Sequence, residues 1–230
     1  MLMRSIWRTL DRGPARDIGL VCLADGVVGL SYGAISVGGG LPLWVPVLLS
    51  VVVFAGASQF LFVGIVAAGG SPIAAVIAGL LVNTRHVAFG LAVSDVIGEG
   101  WRRLPGSHLM TDENVAFALG QDDLRHKRSA YWACGIGIFI SWNIGVLIGG
   151  AAGSVITDTD AFGLDAAFPA VLLALVLPAL RDRATRTAAL IGIVVALAAT
   201  PFLPAGLPVL LALVGMLFYR TDKPALEVSR

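Results

Sequence analysis

Two ionisable residues stand in stretches that are otherwise apolar, Asp25 in VCLADGVVGL and Arg85 in LLVNTRHVAFG. A charged side chain at the centre of a membrane helix costs roughly 2.5–3.5 kcal/mol on insertion scales, so such residues face protein or a polar cavity and mark a site or a pathway. His86, Asn83, Gln59, Asn143, Tyr32 and Ser58 add polarity in the same kind of surroundings. As a set they offer a guanidinium to hold a carboxylate and a carboxylate to hold an ammonium or a proton. They also offer an imidazole that titrates near neutrality and neutral hydrogen-bonding groups. The types that other chemistries need are missing. Cys22 and Cys134 are too few for a disulfide framework, lack histidines at ligand spacing for a metal, and read as small buried hydrophobes. There is no His-Glu-x-x-His, no pair of intramembrane carboxylates, and no Lys-Ser/Thr after Gly38–Gly40 to make a nucleotide loop. The expectation is no metal, no cofactor and no enzyme.

The elements that must position these residues follow from composition. Of 230 residues 57% are hydrophobic and 13% charged, and mean hydropathy is +0.86. Soluble domains carry about 25% charged residues, so lipid is the solvent implied. A net charge of +1 gives no basic excess for nucleic acid. A span needs about 20 mostly apolar residues, which picks out Ile18–Ser36, Leu43–Ala68, Pro72–Ser94, Ala130–Ala152, Phe162–Leu180, Thr187–Phe202 and Leu207–Phe218. The last two, separated by PFLPAG, read as a tight helical hairpin. The fold class is therefore an all-α integral membrane protein, a polytopic helical bundle of six to seven transmembrane segments with at least one discontinuous helix. Leu43–Ala68 is overlong and carries Gly56-Ala57-Ser58-Gln59 near its middle, one candidate break; Pro169 marks another.

Residues 1–17 form a basic lead-in without an apolar run of signal-peptide length, so no cleaved leader is expected. Residues 18–220 form the transmembrane domain and 221–230 a cytoplasmic tail. Short loops rich in Lys and Arg stay in the cytoplasm. That places 99–129 (Arg102, Arg103, Arg125, Lys127, Arg128), the turn with Arg181, Arg183 and Arg186, and the tail inside. Seven crossings would put the N-terminus outside despite Arg4, Arg8, Arg12 and Arg16; Asp11 and Asp17 dilute that signal and favour seven. A re-entrant Leu43–Ala68 would instead give six crossings with both termini inside. Within 99–129, Thr111-Asp112-Glu113 before Val115–Leu119 reads as an N-cap with acids in the first turn of a solvated surface helix.

Helical spacing assigns faces. In the third span Ala75, Gly79, Asn83, His86, Gly90 and Ser94 share one face, while Ile77, Leu80, Val87 and Leu91 form the lipid face. Arg85 lies amid Ala74, Ala78, Ala88 and Ala92, a groove in which a neighbouring helix can answer its charge; an ion pair with Asp25 would be a purely structural answer. Asp25, Gly29, Tyr32 and Ser36 form a polar stripe on the first span. Ala133, Gly137, Ser141, Gly145, Gly149 and Gly153 form a small-residue ridge suited to close helix contact. Polar groups from several spans at one depth suit a transport path, with broken helices coordinating ionic ends.

The chain resembles the AzlC-type large subunit of bacterial branched-chain amino acid exporters. The resemblance runs from about Asp25 to Phe218 and rests on DGVVGLSYG (Asp25–Gly33), VFAGASQF (Val53–Phe60), VNTRH (Val82–His86), TDENVAFAL (Thr111–Leu119) and LDAAFPAVL (Leu164–Leu172). It implies a multi-pass protein of the bacterial cytoplasmic membrane that works with a small hydrophobic AzlD-type partner and moves leucine, isoleucine, valine or analogues outward. On that reading Asp25, Tyr32, Ser58, Gln59, Asn83, Arg85, His86 and Asn143 are candidate substrate-binding residues, with Asp25 and His86 candidates for carrying a coupling proton. The alternatives are a non-transporting scaffold subunit, for which the small-residue ridge speaks, and an exporter of another small hydrophobic solute.

Overall fold

The structure, a computed structural model, describes residues 9–155, 173, 177, 179–203 and 207–219. Arg4, Arg8, most of the Phe162–Leu180 segment with Pro169 and the LDAAFPAVL motif, and the tail from residue 220 lie outside the described residues. Among the described residues every regular element is helical. They are α1 (Arg12–Gly38), α2 (Trp44–Val52), α3 (Gly56–Ala67), α4 (Pro72–Asn83), α5 (Arg85–Ala92), α6 (Arg103–His108), α7 (Asp112–Leu119), α8 (Leu124–Val155), α9 (Arg183–Ala199) and α10 (Leu207–Leu211), the last continued by a 3-10 helix over Ala212–Phe218, with short 3-10 turns at Gly100–Arg102 and Ala179–Arg181. Three stretches among the described residues are long and apolar enough to cross a membrane: Arg12–Gly38, Pro72–Ala92 and Leu124–Ser154.

The small-residue ridge of α8 faces α1, and the two helices run parallel. Contacts advance in step along both chains: Cys22 meets Gly137, Gly26 meets Ser141 and Gly145, Leu30 meets Gly149, and Ala34 meets Gly153. A Cβ at Gly145 would lie 2.2 Å from the Gly26 carbonyl oxygen and one at Gly149 only 1.9 Å from that of Leu30, so glycine is what lets these backbones touch. In lipid no hydrophobic force drives helices together, and such close backbone packing supplies the association. Asp123 caps α8 by accepting the N–H groups of Arg125 and His126 at 2.9 and 3.0 Å. These bonds, the one from His126 foremost, hold its carboxyl below the usual carboxylate range. The tight terminal hairpin expected from PFLPAG is present as α9 against the 3-10 helix, where Gly192 faces the Ala212 backbone and Gly215 that of Ala188.

Two hairpins insert between these elements from opposite ends of the bundle. In the first, Leu43 reaches Gly150 near the end of α8, Phe54 packs edge-on against Phe139 at the middle of α8, and Ala67 returns beside Gly39 at the end of α1. Leu43–Ala68 is thus two helices, α2 and α3, that turn at Val53–Ala55, where Phe54 holds φ 44°. For a residue with a Cβ that left-handed conformation is uncommon, and full burial of the Phe54 ring holds it in place. The second hairpin is α6 and α7. Tyr131 Oη donates to the Gly106 carbonyl at 2.7 Å, His108 reaches Phe139, and Ala116, Phe117, Gly120 and Gln121 come back against Pro14 and Asp17 at the start of α1. The tip at Leu109–Thr111 is locked by Asn114, which is fully buried. Its Oδ1 accepts the Thr111 N–H at 2.9 Å, its Nδ2 donates to the Leu109 carbonyl at 2.7 Å, and its own N–H donates to Thr111 Oγ1. The expected solvated surface helix is therefore a packed one: Asn114, Val115 and Ala118 are buried, and α7 lies against α8. The basic residues around it disguise a segment that packs its buried residues against α8, where Asn114 meets Gly135.

Candidate functional site

The two hairpin tips meet midway along α1 and α8. His108 Nε2 lies 2.8 Å from the Val51 carbonyl, and its ring faces Phe54. Because a carbonyl only accepts, the proton of this bond is on Nε2. Beside the tips is a cavity of about 290 Å³. Asp25 of α1 and Arg85 and His86 of α5 line it, together with Thr111, Asp112 and Glu113 at the start of α7 and Ala55, Gly56 and Ala57 at the start of α3. Its apolar wall is Val28, Phe54, Met110, Ile138 and Trp142. That volume stands at the small end of ligand pockets, which start near about 300 Å³, and an apolar wall with a few convergent polar groups is the usual composition of such sites.

Each charged group has a local reason for its place. Asp25 is midway along α1, and its Oδ2 is buried with no hydrogen-bond partner. Arg85 opens α5 after a break at Thr84, whose backbone and side chain both bond the Leu81 carbonyl rather than extending α4. Its Nη1 donates to Asp112 Oδ2 at 2.6 Å, while its Nε is buried without a partner. The charge is therefore answered by Asp112 from the second hairpin, not by Asp25. His86 Nδ1 lies 3.0 Å from the Asn83 carbonyl, which puts the proton on Nδ1 and leaves Nε2 as a proton acceptor. Ala55 gives α3 no side-chain cap, so the positive end of that helix, at Gly56 and Ala57, faces the cavity.

The remaining sequence candidates lie elsewhere. Ser58, Gln59 and Asn83 line a second cavity of about 120 Å³ against Leu49, Val53, Phe62, Ala75, Val76, Gly79 and Leu80. Gln59 is almost fully buried there with both amide atoms unpartnered, and Asn83 Oδ1 is likewise unpartnered. Tyr32 is enclosed between the rings of Phe60 and Trp142, with centroids 5.3 and 5.8 Å away. Asn143 joins α8 to α2: Ser50 Oγ donates to its Oδ1 at 2.7 Å and its Nδ2 donates to the Phe139 carbonyl at 2.8 Å. Sequence reasoning passed over Asp112, Glu113 and His108. For Asp112 and Glu113 the one sequence signal is the TDEN cap itself, a strong helix start placed within a polar stretch; His108 lies before it. No group of three or more His, Cys, Asp or Glu side chains among the described residues is arranged to hold a metal ion.

A helical bundle whose charged cavity lies midway along its membrane-crossing helices defines a polytopic membrane protein with an internal charged cavity. The family model described as AzlC protein matches residues 21–156, more than half of the chain and all of the residues that line the cavity. The chain belongs to the AzlC family. It is 26% identical over 173 residues to an uncharacterized membrane protein of Helicobacter pylori strain 26695, covering 74% of this chain and 75% of that one. The counterpart from strain J99 is 25% identical over the same length. Inner membrane protein YgaZ of Escherichia coli K12 is 34% identical over 145 residues, 58% of this chain and 55% of that protein. No solved structure matches.

Proposed function

We propose that this chain is the large subunit of a secondary exporter for branched-chain, aliphatic amino acids, resident in the bacterial inner membrane and working with a small AzlD-type hydrophobic partner. The observation that carries the reading is the cavity in which Arg85 and Asp25 face one space bounded by Val28, Phe54, Met110, Ile138 and Trp142. A zwitterion with an aliphatic side chain needs those three things together: a cation for its carboxylate, an anion for its ammonium and an apolar wall. Arg85, assisted by the positive end of α3, receives the carboxylate. Asp25 receives the ammonium or a coupling proton, and His86 Nε2 is a second proton acceptor. Ser58, Gln59 and Asn83 sit just across α3 and serve as neutral contacts on the same route.

The topology that fits is six crossings with two hairpins re-entering from opposite faces, α2–α3 from one and α6–α7 from the other. Non-helical backbone at membrane depth is tolerated where protein buries it or it lines a cavity, and both tips do so here. Parallel α1 and α8 require an odd number of net crossings between them, and α4–α5 supplies it. Arg12, Arg16, Arg102 and Arg103, the described arginines before α8 other than Arg85 of the cavity, then lie at the cytoplasmic end with the start of α1. The scaffold alternative loses its main support, since α1 occupies the small-residue ridge. The test is binding of leucine, isoleucine and valine to the purified protein with its partner. Arg85→Ala should abolish binding while the protein remains folded, and undiminished binding by that variant refutes the assignment.

A further inference from the structure

We infer that Asp112 is an internal stand-in for the ligand carboxylate, competing with it for Arg85, so that uptake of the ligand releases the tip of the α6–α7 hairpin. This rests on the amino-acid reading of the cavity above. A guanidinium presents a planar fork of five donors suited to a bidentate carboxylate. Asp112 engages Arg85 through one oxygen on Nη1 at 2.6 Å, and Nε, buried and unpartnered, is left over. The Arg85 side chain is 34% exposed and that of Asp112 46%. The pair is thus open on one side toward the cavity, and a second carboxylate that takes the fork of Arg85 keeps its charge answered as Asp112 leaves.

The consequence reaches the hairpin because Asp112 opens α7 next to Thr111, whose reciprocal bonds with Asn114 tie it to the tip. Freed of Arg85, that tip keeps His108 on Val51 as its remaining polar link to α2. The charges also sort ligands. With the ligand on Arg85, Asp25, Asp112 and Glu113 all face the cavity, and an α-ammonium answers them. A simple carboxylate answers none and should not displace Asp112.

The test uses the full chain in nanodiscs with its partner, and leucine, leucinamide and isovalerate as probes. Asp112→Asn should bind leucine about tenfold tighter than wild type and leucinamide, which has no carboxylate to compete for Arg85, no tighter; Asp112→Glu should restore wild-type affinity. In a variant with Cys22 and Cys134 replaced by Ala and Met110→Cys added, leucine should speed labelling by a hydrophilic thiol reagent, and isovalerate should not. Leucine binding equally well to wild type and to folded Asp112→Asn overturns the inference. Leucine binding to neither overturns the amino-acid reading. The tip is then decided by labelling alone: faster labelling in Asp112→Asn, or Asp112→Ser if the first does not fold, supports the latch, and equal rates overturn it.

Discussion

Replacing Gly149 by Ala should break the spine of the protein, and the size of the effect can be worked from the packing. The new Cβ would lie 1.9 Å from the Leu30 carbonyl oxygen and 2.7 Å from its carbonyl carbon, where real contacts stay beyond 3.0 Å. Helices α1 and α8 must therefore part by about 1 Å at that point. The obstacle is backbone, so no rotamer change relieves it, and Leu30→Ala should not rescue the variant. Overpacking of this kind costs about 1–3 kcal/mol, and Gly149 belongs at the upper end because it makes the closest approach of the three, against 2.2 Å at Gly145 and 2.7 Å at Gly153, and both of those also pin α8 to α1 backbone. Gly19, on the same α1, has nothing within 4 Å; there Ala should gain about 0.5–1 kcal/mol from lower chain entropy. Equilibrium unfolding in mixed micelles measures both. A Gly149→Ala protein as stable as wild type would refute the parallel α1–α8 contact.

Thr111→Ala removes the hydroxyl that accepts the Asn114 N–H and should cost about 1 kcal/mol, seen as faster hydrogen exchange confined to the amides of α7. Ser50→Ala leaves Asn143 Oδ1 without its interhelical donor and should cost about 0.6 kcal/mol, the average for such bonds between membrane helices, read by the same unfolding assay. In a background with Cys22 and Cys134 replaced, single cysteines at Leu41 and Ser71 should both react with an impermeant reagent from outside the cell, and one at Gln121 only from inside; seven full crossings would put Leu41 and Ser71 on opposite faces.

Much of this arrangement is legible along the chain. The lipid face of the third span is as its spacing implies, with Ile77, Leu80, Val87 and Leu91 exposed. The small-residue ridge of α8 announces a close neighbour, though not which one or in what direction. Asp25 and Arg85 stand out because charge inside an apolar run is costly wherever the run is placed. The second hairpin is not legible, since two helices of six and eight residues fall below any window of span length and sit among Arg102, Arg103, Asp122 and Asp123. Asp112 as the partner of Arg85 is equally hidden: the two are far apart in sequence, and periodicity speaks only of neighbours on one helix. Gln59 and Asn83 group with Asp25 by depth, but depth does not give azimuth: Gln59 lines the second cavity rather than the charged one that the start of α3 faces, and Asn83 lies with it.

The central claim is that the cavity of Asp25 and Arg85 carries an aliphatic amino acid out of the cell. Efflux of leucine, isoleucine and valine from dipeptide-loaded cells, with this chain and its small partner present or absent, tests it most directly. Efflux should rise with the pair, collapse with an uncoupler and be lost in Asp25→Asn at normal membrane abundance. Unchanged efflux with both proteins in the membrane, or full efflux by Asp25→Asn, would contradict the claim.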